Sequence, residues 1–189
     1  MQTTSIQQLR KEITMNLEMK SIKHFASGSQ ETYCYTAVVY LDGKPFADVS
    51  NDGHGGCDYV HPHDKSPLTK VQGAWRKKYD EIEEYFASLP NLDVGVHDWM
   101  PEGLSQSFEL WCGQQVEDML HKRDMKRTFK KWKVVRRKCD KEGKVYMFNH
   151  PHNHKSTAIT YRWPDAVILN DLPEAEALDH WKRPVGGDV

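Results

Sequence analysis

Apolar and polar residues alternate from Ile13 through Met15, Leu17 and Met19, a period of two that predicts a half-buried strand. Thr32–Leu41 (TYCYTAVVYL) is dense in aromatic and β-branched residues, and Asp42-Gly43 then supplies a tight hairpin turn into a third strand over Lys44–Ser50. The period changes after Ser66-Pro67. These residues read as an N-cap and first-turn proline of a helix that runs to about Leu89, with Val71, Trp75, Ile82 and Phe86 on its buried side and Pro90 as its stop. A second helix is expected from Ser105 or Ser107, carrying Phe108, Trp111, Cys112, Val116, Met119 and Leu120 at helical spacing. Trp132–Arg137 and Lys144–Phe148, flanking Asp140–Gly143, read as a second hairpin, followed by a short strand at Ala166–Leu169 and a closing helix over Pro173–Trp181. The order β-β-β-α-α-β-β-β-α predicts an α+β fold, with a mostly antiparallel sheet and helices packed on one side.

The chain has 189 residues, near the size of one compact domain, and a single α+β domain over 1–189 with flexible ends at 1–10 and 183–189 is the expectation. The hydrophobic fraction is only 38%, but eight Tyr, six Phe and six Trp supply enough buried surface for an ordered core. No apolar run approaches membrane-spanning length, so no membrane partner and a cytoplasmic location are expected. Cys34, Cys57, Cys112 and Cys139 are scattered without a C-x-x-C pair and read as reduced thiols.

Asn51–Gly56 (NDGHGG) sets three glycines in six residues directly after the third strand, which calls for backbone at positive φ. This turn lies within the passage ETYCYTAVVYLDGKPFADVSNDGHGGCDYVHP, which ends at Pro62. Together with PDAVILNDLPEAEAL over Pro164–Leu178, the passage resembles a family of small proteins of phage genomes and bacterial prophages. That family is marked by paired strands followed by an N-x-G-x-G-G turn. The resemblance implies a phage or mobile-element origin and assigns no catalytic residue. Small phage accessory proteins often bind host machinery, so it favours a binding protein over an enzyme.

A formal net charge of −1 conceals a steep polarity. Tyr79–Leu120 holds ten Asp or Glu and no Lys or Arg, whereas His121–Lys138 holds ten Lys or Arg against Asp124 alone. The candidate binding residues are Lys122, Arg123, Lys126, Arg127, Lys130, Lys131, Trp132, Lys133, Arg136, Arg137 and Lys138, where clustered cations and interleaved aromatics suit a nucleic acid or an acidic protein face. A helix end whose cations pair with the preceding acidic stretch is the competing reading. The acids Asp80, Glu81, Glu83, Glu84, Asp93, Asp98, Glu102, Glu109, Glu117 and Asp118 are themselves candidates for a nucleic-acid-mimicking face.

His54, Cys57, His61 and His63 fall within ten residues and form a candidate zinc set, although their spacing matches no standard module and a polar turn serves equally well. His150, His152 and His154, opposite Cys139, are a second candidate cluster. No cofactor other than zinc is indicated. The leading expectation is a binding protein that modulates host nucleic-acid machinery, such as a defence or CRISPR nuclease, through its polarised surface. The partner is then a host protein, a nucleoprotein complex or nucleic acid. The alternative is a metal-dependent enzyme acting on a phosphodiester or nucleotide, centred on GHGGCDYVHPH.

Overall fold

The computed structural model describes residues 15–64, 68–92, 103–139, 144–149 and 156–182. They form an α+β fold of two antiparallel sheets and α-helices, and the expected order is followed with one short strand and one short helix inserted. Chain contacts group into two compact units, 1–116 and 117–189. No helix among the described residues is long and apolar enough to cross a membrane.

The first unit is built on a meander of β1 (Leu17–His24), β2 (Tyr35–Leu41), β3 (Lys44–Asn51) and β4 (Tyr59–Pro62). The β2–β3 turn has φ of 50° at Asp42 and 76° at Gly43, the pair of left-handed residues that matches the twist of two strands. Alternation then buries Tyr35, Ala37 and Val39 on β2 and Ala47, Val49 and Asn51 on β3. Helix α1 (Leu68–Ala87) adds Ile82 and Phe86, one turn apart, to the buried set. Ring stacking links Phe46 to Trp75 at 5.8 Å and Trp75 to Tyr79 at 5.3 Å, with Phe108 edge-on to Tyr79 at 5.6 Å. Helix α2 (Phe108–Phe129) starts where the Ser107 hydroxyl accepts the Leu110 N–H at 3.1 Å, and buries Phe108, Cys112 and Val116 at successive turns. The division between the units falls inside α2, after Val116.

The second unit places β5 (Trp132–Arg137) between β6 (Val145–Asn149) and β7 (Ala166–Ile168), all antiparallel. Val135, Ile168 and Ile159 of α3 (Ser156–Arg162) form a core against Tyr146, Phe148, Trp163 and Ala166. Asn170 acts as a substitute strand neighbour: its Oδ1 accepts the Val134 N–H at 2.7 Å and its Nδ2 donates to the Trp132 carbonyl at 2.9 Å. Helix α4 (Glu174–Lys182) follows Pro173 and buries Ala177.

Strand β4 and helix α3 are the inserted elements. Four residues ending in Pro62 carry little periodic signal, and Pro62 suits the sheet edge where β4 lies. Helix α3 spans seven residues that include β-branched Thr157, Ile159 and Thr160, so burial of Ile159 outweighs weak intrinsic propensity. The strand expected at Ala166–Leu169 ends at Ile168, and Leu169 opens a 3-10 turn. The cap at Ser66-Pro67 and the turn at Asp140–Gly143 lie outside the described residues, as do both chain ends.

Candidate functional site

Met119, Lys122, Arg123, Lys126 and Arg127 recur at helical spacing, so α2 collects them on one side, and Lys130 follows in the turn after its last residue. They line an open groove of about 490 Å³ in which all five cations are exposed. Its lining is mainly apolar, as Met119 and the aliphatic stems of long cationic side chains supply. Lys122 and Lys126 both contact the Glu174 carboxylate, Lys126 Nζ at 2.7 Å from Oε2. Arg127 meets Asp124 on its own helix at 2.5 Å. Arg123 and Lys130 have no acidic partner among the described residues. Half-exposed pairs of this kind contribute about 0–1 kcal/mol each, and salt screens them.

The rest of the predicted basic surface is used differently. Lys133 is 16% exposed, and its ammonium donates to Asp171 at 2.7 Å and Ser156 at 3.2 Å. Arg137 donates through Nε and Nη2 to Asp165, both at 3.2 Å, with its guanidinium 5.5 Å from the Trp163 ring centre. Arg136 is buried, at 7% exposure, and is therefore not a surface cation. Trp132 is half-buried, and Phe129 packs edge-on against Trp181 at 6.0 Å, so its ring is already occupied. Lys131 and Lys138 are exposed. Pairing of these cations with the preceding acidic stretch was the competing reading of the sequence. Among the described residues, Lys122 and Lys126 pair with Glu174, Lys133 with Asp171 and Arg137 with Asp165, all acids that follow the basic segment.

Two of those carboxyls show the effect in their acidity. Hydrogen bonding from Cys139 and then from Arg137 draws Asp165 down to about 2. For Asp171, burial pushes upward, and Lys133 and Ser156 overcome it to leave a net lowering.

The acidic residues of the first unit are partly structural. Glu83 accepts the Tyr79 hydroxyl at 2.7 Å and the Phe108 N–H at 3.3 Å, and Glu109 accepts the Asp58 N–H at 2.9 Å. Asp80 and Glu81 pair with Arg76 and Lys78, while Asp118 of the second unit meets Lys182. Asp93, Asp98 and Glu102 lie outside the described residues.

At the glycine turn, Gly53, Gly55 and Gly56 take φ of 85°, 86° and 91°, as NDGHGG predicted. Asn51 organises it: Oδ1 accepts the Gly53 N–H at 2.9 Å and the Thr32 hydroxyl at 2.7 Å, and Nδ2 donates to Asp58 Oδ1 at 3.0 Å. The Tyr35 hydroxyl donates to the other oxygen of Asp58. Burial raises the pKa values of Asp58 and Tyr35, making both weaker acids, and that of Cys112 with the neighbouring Asp58 and Glu109 adding to it. Nothing in the separate residues Thr32, Tyr35, Asn51, Asp58 and Glu109 marked them as one network, because their partners are up to 51 positions apart.

His54, Cys57, His61 and His63 are all exposed, and His63 Nδ1 lies 2.8 Å from Asp48 Oδ1. Among the described residues no group of three or more His, Cys, Asp or Glu is arranged to hold a metal ion. His150, His152 and His154 lie outside the described residues, and Cys139 is exposed. No family model, curated protein or solved structure matches the chain.

Proposed function

We propose that the chain is a binding protein of phage or mobile-element origin that engages nucleic acid within host machinery, through the basic face of α2. The observation that carries this reading is the groove lined by the exposed Lys122, Arg123, Lys126 and Arg127 of α2 and by Lys130 just past its end. Complementing the negative end of a helix requires one or two cations in its last turn, and five between Lys122 and Lys130 exceed that need. Lysine and arginine ends in solvent bind phosphate oxygens with release of condensed counterions, a sequence-independent source of affinity. No nucleophile or acid–base pair enters this reading, so the activity is association, not turnover.

The test is fluorescence anisotropy with a labelled DNA duplex at several salt concentrations. Three to five phosphate contacts give a slope of log K against log salt of roughly −2.7 to −4.5. The triple variant Arg123→Glu, Arg127→Glu, Lys130→Glu should lose binding at least a hundredfold at 50 mM salt with its thermal midpoint unchanged. Arg136→Glu should instead unfold the second unit, because it places an acid in a buried position. A triple variant that still binds normally, or a parent that binds only an acidic protein and no duplex, refutes the nucleic-acid reading.

A further inference from the structure

Three of the five groove cations already hold a carboxylate: Arg127 pairs with Asp124 on its own helix, and two lysines share a single acid. Lys122 contacts one oxygen of the Glu174 carboxylate and Lys126 the other, so two lysines one helical turn apart, about 6 Å along the axis, grip one acid through both its oxygens. A phosphodiester presents the same features: two non-bridging oxygens sharing one negative charge. Glu174 is also the first residue of α4, where the positive end of a helix favours an acid and would favour a phosphate for the same reason.

We propose that Glu174 occupies a phosphate seat formed by Lys122 and Lys126, and that nucleic acid bound along α2 displaces it. This inference rests on the basic-face reading above. The side chains concerned are 48%, 53% and 43% exposed for Lys122, Lys126 and Glu174, so the clasp is wet, screened and readily exchanged. Arg123 and Lys130, which have no acidic partner among the described residues, make first contact. Each phosphate that enters the seat must evict a carboxylate, which then gathers its own counterions. Glu174 therefore lowers both the affinity and the salt dependence of binding, and acts as an internal competitor that weakens engagement of short or sparsely charged ligands most.

The experiment measures duplex binding by the full chain as parent, Glu174→Gln and Glu176→Gln. Glu176 lies on the same exposed helix, so its substitution removes the same formal charge without touching the lysine pair. The expected result is that Glu174→Gln binds at least fivefold more tightly at 100 mM salt, with its salt slope steepened by one to two units. Glu176→Gln should stay within twofold of the parent. Adding Lys122→Gln and Lys126→Gln to Glu174→Gln should return the slope to the parental value. The proposal is overturned if Glu174→Gln binds like the parent or like Glu176→Gln. It is also overturned if Glu174→Gln melts more than 5 °C lower, which would make the clasp structural. If neither parent nor Glu174→Gln binds a duplex, the basic-face reading has failed as well. Binding by the parent with no gain in Glu174→Gln removes this inference alone.

Discussion

Replacing Gly53 by alanine separates what the glycine turn needs from what it tolerates. At φ 85° any L side chain pays a conformational penalty of about 1–2 kcal/mol. Gly53 adds a steric one, because a Cβ there would lie 2.1 Å from the Gly28 carbonyl oxygen and 2.8 Å from Cys34 Cβ. Backbone must therefore move. The same residue is a hydrogen-bond hub, its carbonyl accepting the N–H groups of Gln30, Glu31 and Thr32 at 2.9, 3.0 and 3.3 Å. Loss of even two of these costs about 1–3 kcal/mol more, for a total of roughly 2–5 kcal/mol. That is a large share of the about 5–15 kcal/mol that holds a domain folded. Gly56 has φ 91° but open space around its Cβ position, so Gly56→Ala should cost only the conformational part, about 1–2 kcal/mol. Gly55→Ala should behave like Gly56→Ala, since its Cβ meets the end of the Glu31 side chain, which can turn away. Urea unfolding followed by circular dichroism measures all three, with failure of Gly53→Ala to fold counting as the large-cost outcome. A Gly53→Ala midpoint within about 1 kcal/mol of Gly56→Ala would refute the argument that a backbone clash distinguishes this position.

Two further predictions follow from burial and charge. Asp165 is lowered to about 2 and Asp171 is lowered as well, so their contribution to stability is present above the ordinary aspartate range and is lost as pH falls from about 4 toward 2. Asp165→Asn should flatten that acid limb in thermal melts between pH 2 and 5, and an unchanged limb would place the acid sensitivity elsewhere. Cys112 is fully buried with its pKa raised, which disfavours the reactive thiolate, whereas Cys57 and Cys139 are exposed. A maleimide should therefore modify Cys57 and Cys139 within minutes and leave Cys112 untouched until denaturant is added. Mass spectrometry showing early modification of Cys112 would contradict the packing of α2 described above.

What the sequence by itself determined is what depends on near neighbours. Asp42-Gly43 and the NDGHGG glycines could be read because positive φ is a property of the residue and its adjacent peptides. The buried stripe of Phe108, Cys112 and Val116 could be read because a helix repeats every few residues. The exposed cations from Lys122 to Arg127 belong to the same class, since helical spacing alone gathers them on one face. Tertiary structure decided everything that joins distant positions. It chose Gly53 among three equivalent-looking glycines by bringing the Gly28 carbonyl against it, and it buried Arg136 within a strand whose other cations, Lys133 and Arg137, keep partial exposure and an acidic partner. It also set Glu174, 48 and 52 positions away, between Lys126 and Lys122. No window of sequence contains such a pairing, because the energy of an ion pair or a clash depends on separation in space, and only the folded chain sets that separation.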